Sequence, residues 1–154
     1  MQLLHVLSNR EVEAEIDLLS QNELYTISQS KRFEFDWLSE MNHPIYKIYL
    51  VENGIILGLI ALAYIQMELR ININLIEVSS ENVGRKKSYD KIAGCLLAFA
   101  AREAFIKGYN GFISLLPKTQ LIDLYCGRYS FQQYGRYLAL EGALSFSLIQ
   151  TYLK

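Results

Sequence analysis

Apolar positions along this chain alternate in short runs, thicken into one long unbroken run, and elsewhere recur at helical spacing. Residues 3–7 read as a short strand. Residues 11–24 place Val12, Ile16, Leu18 and Leu19 on one side of a helical wheel behind Asn9 as a cap, and so predict a helix. Residues 29–41 carry two patterns. Phe33, Phe35 and Trp37 alternate like a strand, whereas Trp37, Leu38 and Met41 form a helical stripe; we read a loop followed by a short helix. His43-Pro44 ends that segment. Residues 45–51 predict a strand, Asn53-Gly54 a hairpin turn, and residues 55–68 the returning strand, apolar on both faces and therefore central in a sheet.

Residues 71–78 are the next strand, and their phase slips. Ile71, Ile73 and Leu75 alternate, after which Ile76 and Val78 occupy the opposite parity. Either a β-bulge or a strand end buried on both faces produces this change. Residues 90–107 predict a helix that is almost wholly apolar from Ile92 to Ala101, hence packed deeply against a sheet, with Gly108 as its stop. Residues 111–116 form a short buried strand closed by Pro117. Thr119 is placed to cap a helix over residues 120–126. Residues 137–140 read as a strand. Residues 144–153 fit strand or helix, with Leu144, Leu148 and Tyr152 favouring a terminal helix. The expected class is α+β: a mixed, largely antiparallel sheet flanked by helices, in which a meander enters a strand–helix–strand crossover.

Composition narrows the function classes. The 154 residues amount to one domain's worth of chain, large enough for a core without metal or disulfide staples. No linker, charge block or repeat divides them, so a single domain over residues 1–154 is expected. Hydrophobic residues make up 51% and charged ones 20%, which argues against disorder. Eleven Tyr and seven Phe add interior volume and leave aromatic groups for a cleft or an interface. Fifteen basic against sixteen acidic residues give a net charge of −1, and that balance argues against general nucleic-acid binding. Cys95 and Cys126 lie far from each other and from His5 and His43, so no metal site is expected, and two reduced thiols fit better than one disulfide. The first residues are too briefly apolar for a secretory signal. The longest apolar run, residues 55–65, is about half of the ~20 residues that cross a bilayer. A cytoplasmic protein without a membrane span, monomeric or homodimeric, is expected.

The candidate chemistry lies in residues 71–142. A strand there feeds a basic loop, residues 81–91, that contains Gly84, Arg85, Lys86, Lys87 and Lys91 and opens a helix. Unpaired backbone N–H groups and the positive end of a helix dipole beside such cations suit a phosphorylated ligand; a solvated basic loop is the alternative. The order of strand, basic loop, apolar helix, strand, short helix, aromatic-rich turn and final strand resembles the second half of the GNAT acetyltransferase superfamily, over about half of the chain. GNAT proteins carry R/Q-x-x-G-x-G/A at the loop–helix junction. Aligned on Ile92-Ala93, this chain reads Ser88-Tyr89-Asp90-Lys91-Ile92-Ala93. The small last residue is kept, Ser88 replaces the Arg or Gln, and Lys91 replaces the first glycine. The Lys91 side chain either obstructs the approach to phosphate or supplies a compensating charge.

Carried over residue by residue, the resemblance implies acetyl-CoA as co-substrate. Its pyrophosphate would lie on Gly84, Arg85, Lys86, Lys87, Ser88, Lys91, Ile92 and Ala93. Its pantetheine arm would lie beside Ile76 and Val78, where a bulge frees an N–H to polarise the thioester carbonyl. Glu77 is the implied general base, and Tyr125, within Tyr125-Cys126-Gly127-Arg128-Tyr129-Ser130-Phe131, the implied acid toward the departing thiolate, with Tyr129 as rival. Read as residues alone, Glu77 is equally an edge or pairing residue and Tyr125 a packing residue. Cys126 has no His near it in sequence to activate it. The implied activity is transfer of an acetyl group to an amine acceptor, with residues 33–41 and the Tyr46–Tyr49 segment shaping the acceptor site. Two alternatives stand beside it: a GNAT-fold coenzyme-A sensor or interaction module without catalysis, and a small structural subunit that buries aromatic surface against another chain.

Overall fold

The computed structural model of the protein describes residues 1–117 and 121–154. Its strands form one nine-stranded sheet in the order β6-β1-β2-β3-β4-β5-β7-β9-β8. The strands are β1 (Gln2–His5), β2 (Arg10–Leu18), β3 (Ile45–Leu50), β4 (Ile56–Ile65), β5 (Arg70–Val78), β6 (Tyr89–Asp90), β7 (Ile113–Leu115), β8 (Gln132–Tyr134) and β9 (Tyr137–Leu140). Every pairing is antiparallel except β5 with β7, which run parallel. The crossover between those two is α2 (Ile92–Ile106). The remaining helices are α1 (Gln21–Gln29), α3 (Ile122–Tyr129) and α4 (Gly142–Tyr152). This is the expected α+β architecture.

One element differs from the sequence expectation. Residues 11–24 are not a helix; they are β2, a two-residue link and the start of α1. Val12, Ala14 and Ile16 point inward, while Glu11, Glu13, Glu15 and Asp17 lie on the exposed face. That is period-two alternation, and Ala14, fully buried opposite Leu50, completes it. Asn9 sits at a turn with φ 54°. The cap belongs to Ser20, whose Oγ accepts from the Glu23 amide at 3.1 Å while the Glu23 carboxylate accepts from the Ser20 amide at 2.9 Å. Two short strands, β6 and β8, had no counterpart in the sequence reading. The expected cap at Thr119 and helix start at residue 120 lie outside the described residues; α3 runs on to Tyr129.

Both faces of β4 are covered. On one side α2 packs with Leu57, Ile60 and Leu62 in the main core. On the other, Leu59 and Ala61 meet Leu24, Ile27, Phe33 and Trp37. Helix α2 has no exposed stripe in its first ten residues because α4 covers the side turned away from the sheet. Gly94 makes this approach possible: a Cβ there would come within 2.2 Å of the Tyr152 ring. Residues 144–153, which fit either class by pattern, are therefore helical because α2 offers them a helix-covered face.

Candidate active site

Strands β5 and β7 pair only from Ile71 opposite Ile113 to Ile73 opposite Leu115. Strand β5 then continues to Val78, and among the described residues positions 74–78 have no strand partner on that side. The divergence begins at a bulge. Against β4 the register passes from Ala61–Leu75 to Leu62–Ile73, which leaves Asn74 as the extra residue. The parity change in the sequence is thus a bulge, one residue before the apolar phase slips.

The opened edge borders a cavity of about 440 Å³. One wall is β5 from Ile73 to Ile76, and the facing wall is Leu115, Leu116, Pro117, Leu121 and Tyr125. Phe35, Asp36, Ser39 and Glu40, from the 3-10 turn Trp37–Glu40 and the residues before it, close the third side. Tyr125 packs edge-on against Phe131 at 5.7 Å, and burial raises the pKa of its phenol.

A second, smaller cavity of about 70 Å³ lies at the N-terminus of α2, bordered by Val78, Lys87, Lys91, Ala93, Arg128 and Tyr129 among others. The first helical bond of α2 runs from the Cys95 amide to the Lys91 carbonyl at 3.0 Å, so the amides of Ile92, Ala93 and Gly94 have no acceptor within the helix. Lys91 is the N-cap, with φ 76° and ψ 6° and no side-chain capping bond. Asp90 accepts from the Lys91 amide at 2.8 Å and from Lys87 Nζ at 3.1 Å. Burial opposes the charge on Asp90, but the Lys91 amide and the Lys87 ammonium outweigh it and hold the carboxyl below its ordinary range.

The sequence-derived candidates divide between these places. Ile76 lines the large cavity and Val78 the small one. They lie two residues apart on the open edge, about 6–7 Å along a strand. Tyr125 and Arg128, one helical turn apart on α3, face the two cavities in the same order. Lys87, Lys91, Ile92 and Ala93 border the small cavity, with the Ile92 side chain turned into the core. Gly84, Arg85 and Lys86 form the exposed tip of the loop, with Gly84 at φ 82°. Ser88 is held by its backbone, accepting from the Val6 amide at 2.9 Å.

Glu77 faces neither cavity. Its carboxylate accepts from the amides of Glu34 at 2.6 Å and Phe35 at 3.2 Å, and from Trp37 Nε1 at 2.7 Å. Tyr129 is buried, which together with nearby Tyr152 pushes its phenol up to about 12. Cys95 and Cys126 are unlinked, Cys95 within the core and Cys126 half-buried on α3. Sequence reasoning missed Arg128, although a cation one turn after Tyr125 was a readable signal, and it missed Glu40, which no local pattern marks.

No protein-family model and no curated protein sequence matches the chain. Solved structures do. The putative N-acetyltransferase YhhK of E. coli bound to coenzyme A superposes with TM-score 0.58 at 12% identity, over 84% of this chain and 99% of that one. A GNAT-family acetyltransferase of Brucella melitensis in complex with acetyl-CoA gives 0.57 at 15%, over 84% and 88%. A chimera of the spermidine N-acetyltransferase SpeG from Vibrio cholerae and hSSAT gives 0.62 at 11%, over 89% and 98%. The splayed β5–β7 pair, the crossover helix between them and these superpositions together identify the architecture of this chain as the GNAT fold.

Proposed function

We propose that this chain is an N-acyltransferase that moves an acetyl group from acetyl-CoA to an amine. The observation that carries the reading is the unpaired edge of β5 beyond the Asn74 bulge, which joins the apolar cavity at Ile76 to the cationic helix terminus at Val78. An amide-bearing arm laid along that edge would bond with the free backbone of β5 as another strand does. Its pyrophosphate would reach the free amides of Ile92 and Ala93, with Lys87, Lys91 and Arg128 around them and Arg85 and Lys86 at the exposed tip of the loop.

The chemistry then falls in the large cavity. The uncharged amine nitrogen attacks the thioester carbonyl carbon, the C–S bond breaks as the amide forms, and the Tyr125 hydroxyl gives its proton to the departing sulfur. The proton shed by the nitrogen restores the Tyr125 phenolate to the neutral phenol. A phenol whose pKa is raised by burial stays protonated, and available as a donor, throughout the neutral range. Glu77 has both oxygens engaged by N–H donors, so the part that its geometry supports is to fix residues 34–37 and through them the turn at Trp37–Glu40.

Calorimetric titration with acetyl-CoA, followed by thiol release in the presence of an amine panel, tests the proposal. Binding that weakens at least tenfold in Lys91→Glu, with turnover that falls at least 100-fold in Tyr125→Phe at unchanged acetyl-CoA affinity, is the expected result. A folded protein that does not bind acetyl-CoA refutes it. Binding without thiol release for any amine would leave a coenzyme-A sensor in its place.

A further inference from the structure

Four carboxylates lie in or beside the wall formed by residues 34–40: Glu34 is exposed and does not border the cavity, Glu77 and Asp36 have hydrogen-bond donors, and the fourth is Glu40. Glu77 accepts from three N–H groups. Asp36 accepts from the Ser39 amide as the cap of the 3-10 turn. Glu40 is different: its Oε1 is buried and has no hydrogen-bond partner among the described residues. Glu40 also lines the large cavity, across from the apolar wall of Leu115, Leu116 and Leu121. A carboxylate oxygen withdrawn from water with no donor is costly to keep, and a cation with N–H groups arriving from the cavity would remove that cost. The terminal torsion of a glutamate is broad, so the carboxylate turns toward such a group without leaving its rotamer.

The surroundings fix what such a cation would look like. Ile73, Leu75 and Ile76 with the facing leucines favour an apolar body, and Phe35 supplies a ring on the same side as Glu40. Glu77 keeps its donors within the protein and Asp36, which also borders the cavity, caps the 3-10 turn, so Glu40 is the cavity carboxylate with a buried oxygen that lacks a donor among the described residues. The Glu77 bonds to residues 34–37 hold the turn that carries Glu40 in place. We propose that Glu40 is the anchor for the ammonium group of the acceptor, and that the acceptor is a primary amine on an apolar body. This rests on the acyl-transfer reading only for the word acceptor; the binding site itself stands on the cavity and on Glu40.

The test is calorimetric titration of the full chain and of Glu40→Gln, with coenzyme A present so that no turnover occurs. The probes are butylamine, 2-phenylethylamine and tryptamine, with 2-phenylethanol as the neutral counterpart. At least one amine should bind the wild type, and the alcohol should bind at least tenfold more weakly than 2-phenylethylamine. Glu40→Gln should lose about ten- to a hundredfold in amine affinity, the range for one charge-assisted hydrogen bond. Its coenzyme A affinity should stay within twofold and its melting temperature should not fall, because the buried Oε1 has no bond to lose among the described residues. Equal amine affinity in Glu40→Gln, equal binding of the alcohol, or no binding by any amine would overturn the proposal. Glu40-dependent amine binding in a protein that ignores coenzyme A would uphold the anchor and remove the acyl-transfer reading instead.

Discussion

Replacing Lys91 with glycine should stabilise the protein, even though it removes a charge from the candidate phosphate site. Lys91 turns the corner between β6 and α2 at φ 76° and ψ 6°. A side chain in that left-handed region costs roughly 1–2 kcal/mol, because Cβ crowds the backbone. Glycine escapes the crowding but gives back about 0.5–1 kcal/mol through the greater freedom of the unfolded chain. Nothing else is lost: the Lys91 side chain is exposed and makes no capping bond. Glycine is also a far better N-cap than an aliphatic side chain. The net gain is about 0.5–1 kcal/mol, or roughly 1–4 °C in melting temperature for a chain of this size. Lys91→Ala separates conformation from charge, since it removes the same ammonium and keeps the strained Cβ. Thermal unfolding followed by circular dichroism should therefore rank Lys91→Gly above both the wild type and Lys91→Ala. Acetyl-CoA should bind Lys91→Gly severalfold more tightly than Lys91→Ala, because the bare backbone admits closer approach. A melting temperature for Lys91→Gly at or below that of Lys91→Ala would refute the reasoning.

Gly94→Ala places a methyl group within 2.2 Å of the Tyr152 ring and should cost about 1–3 kcal/mol by overpacking, with partial recovery in Gly94→Ala/Tyr152→Leu, read by denaturant unfolding. Glu77→Ala leaves three N–H donors without their acceptor and should cost about 2–4 kcal/mol, while the emission of Trp37, the single tryptophan, shifts to the red as its indole loses its bond. The carboxyl of Asp90 is held below its ordinary value of 3.8, so its contribution to stability is present above about pH 4 and is lost as pH falls through the lower folded value. Asp90→Asn should accordingly flatten the decline of melting temperature below pH 4 and leave the slope above pH 5 unchanged. Arg128→Ala should weaken acetyl-CoA binding about tenfold and reduce its salt dependence, measured by titration at two ionic strengths, whereas Arg102→Ala, on the far part of α2, should change neither.

What the sequence made legible was whatever depends on neighbours along the chain. The slip from Ile73 and Leu75 to Ile76 and Val78 could be read as a bulge because side-chain parity is a local property of a strand. The apolar run of α2 announced its burial for the same reason. Misreading β2 came from treating Ala14 as neutral, although the small residue is the one fully buried position that turns Val12, Ile16 and Leu18 into an alternation. The capping box of Ser20 and Glu23 was equally readable and would have placed the helix start correctly. The charges were not legible, because their partners come from far away. Glu77 meets donors about 40 residues earlier in the chain, and Glu40 is distinguished by a buried Oε1 without a donor among the described residues. Lys91 joins the two levels. Asp90 is fixed opposite Leu4 in the β6–β1 pairing, Ile92 is buried in the core, and one residue between them must reverse the path. The junction therefore holds its left-handed turn without glycine, which means that its geometry is imposed from both sides by tertiary packing. A backbone set in that way presents the amides of Ile92 and Ala93 to the small cavity whichever side chain occupies position 91, so replacing the motif's glycine changes the access and the charge of the site before it changes its shape.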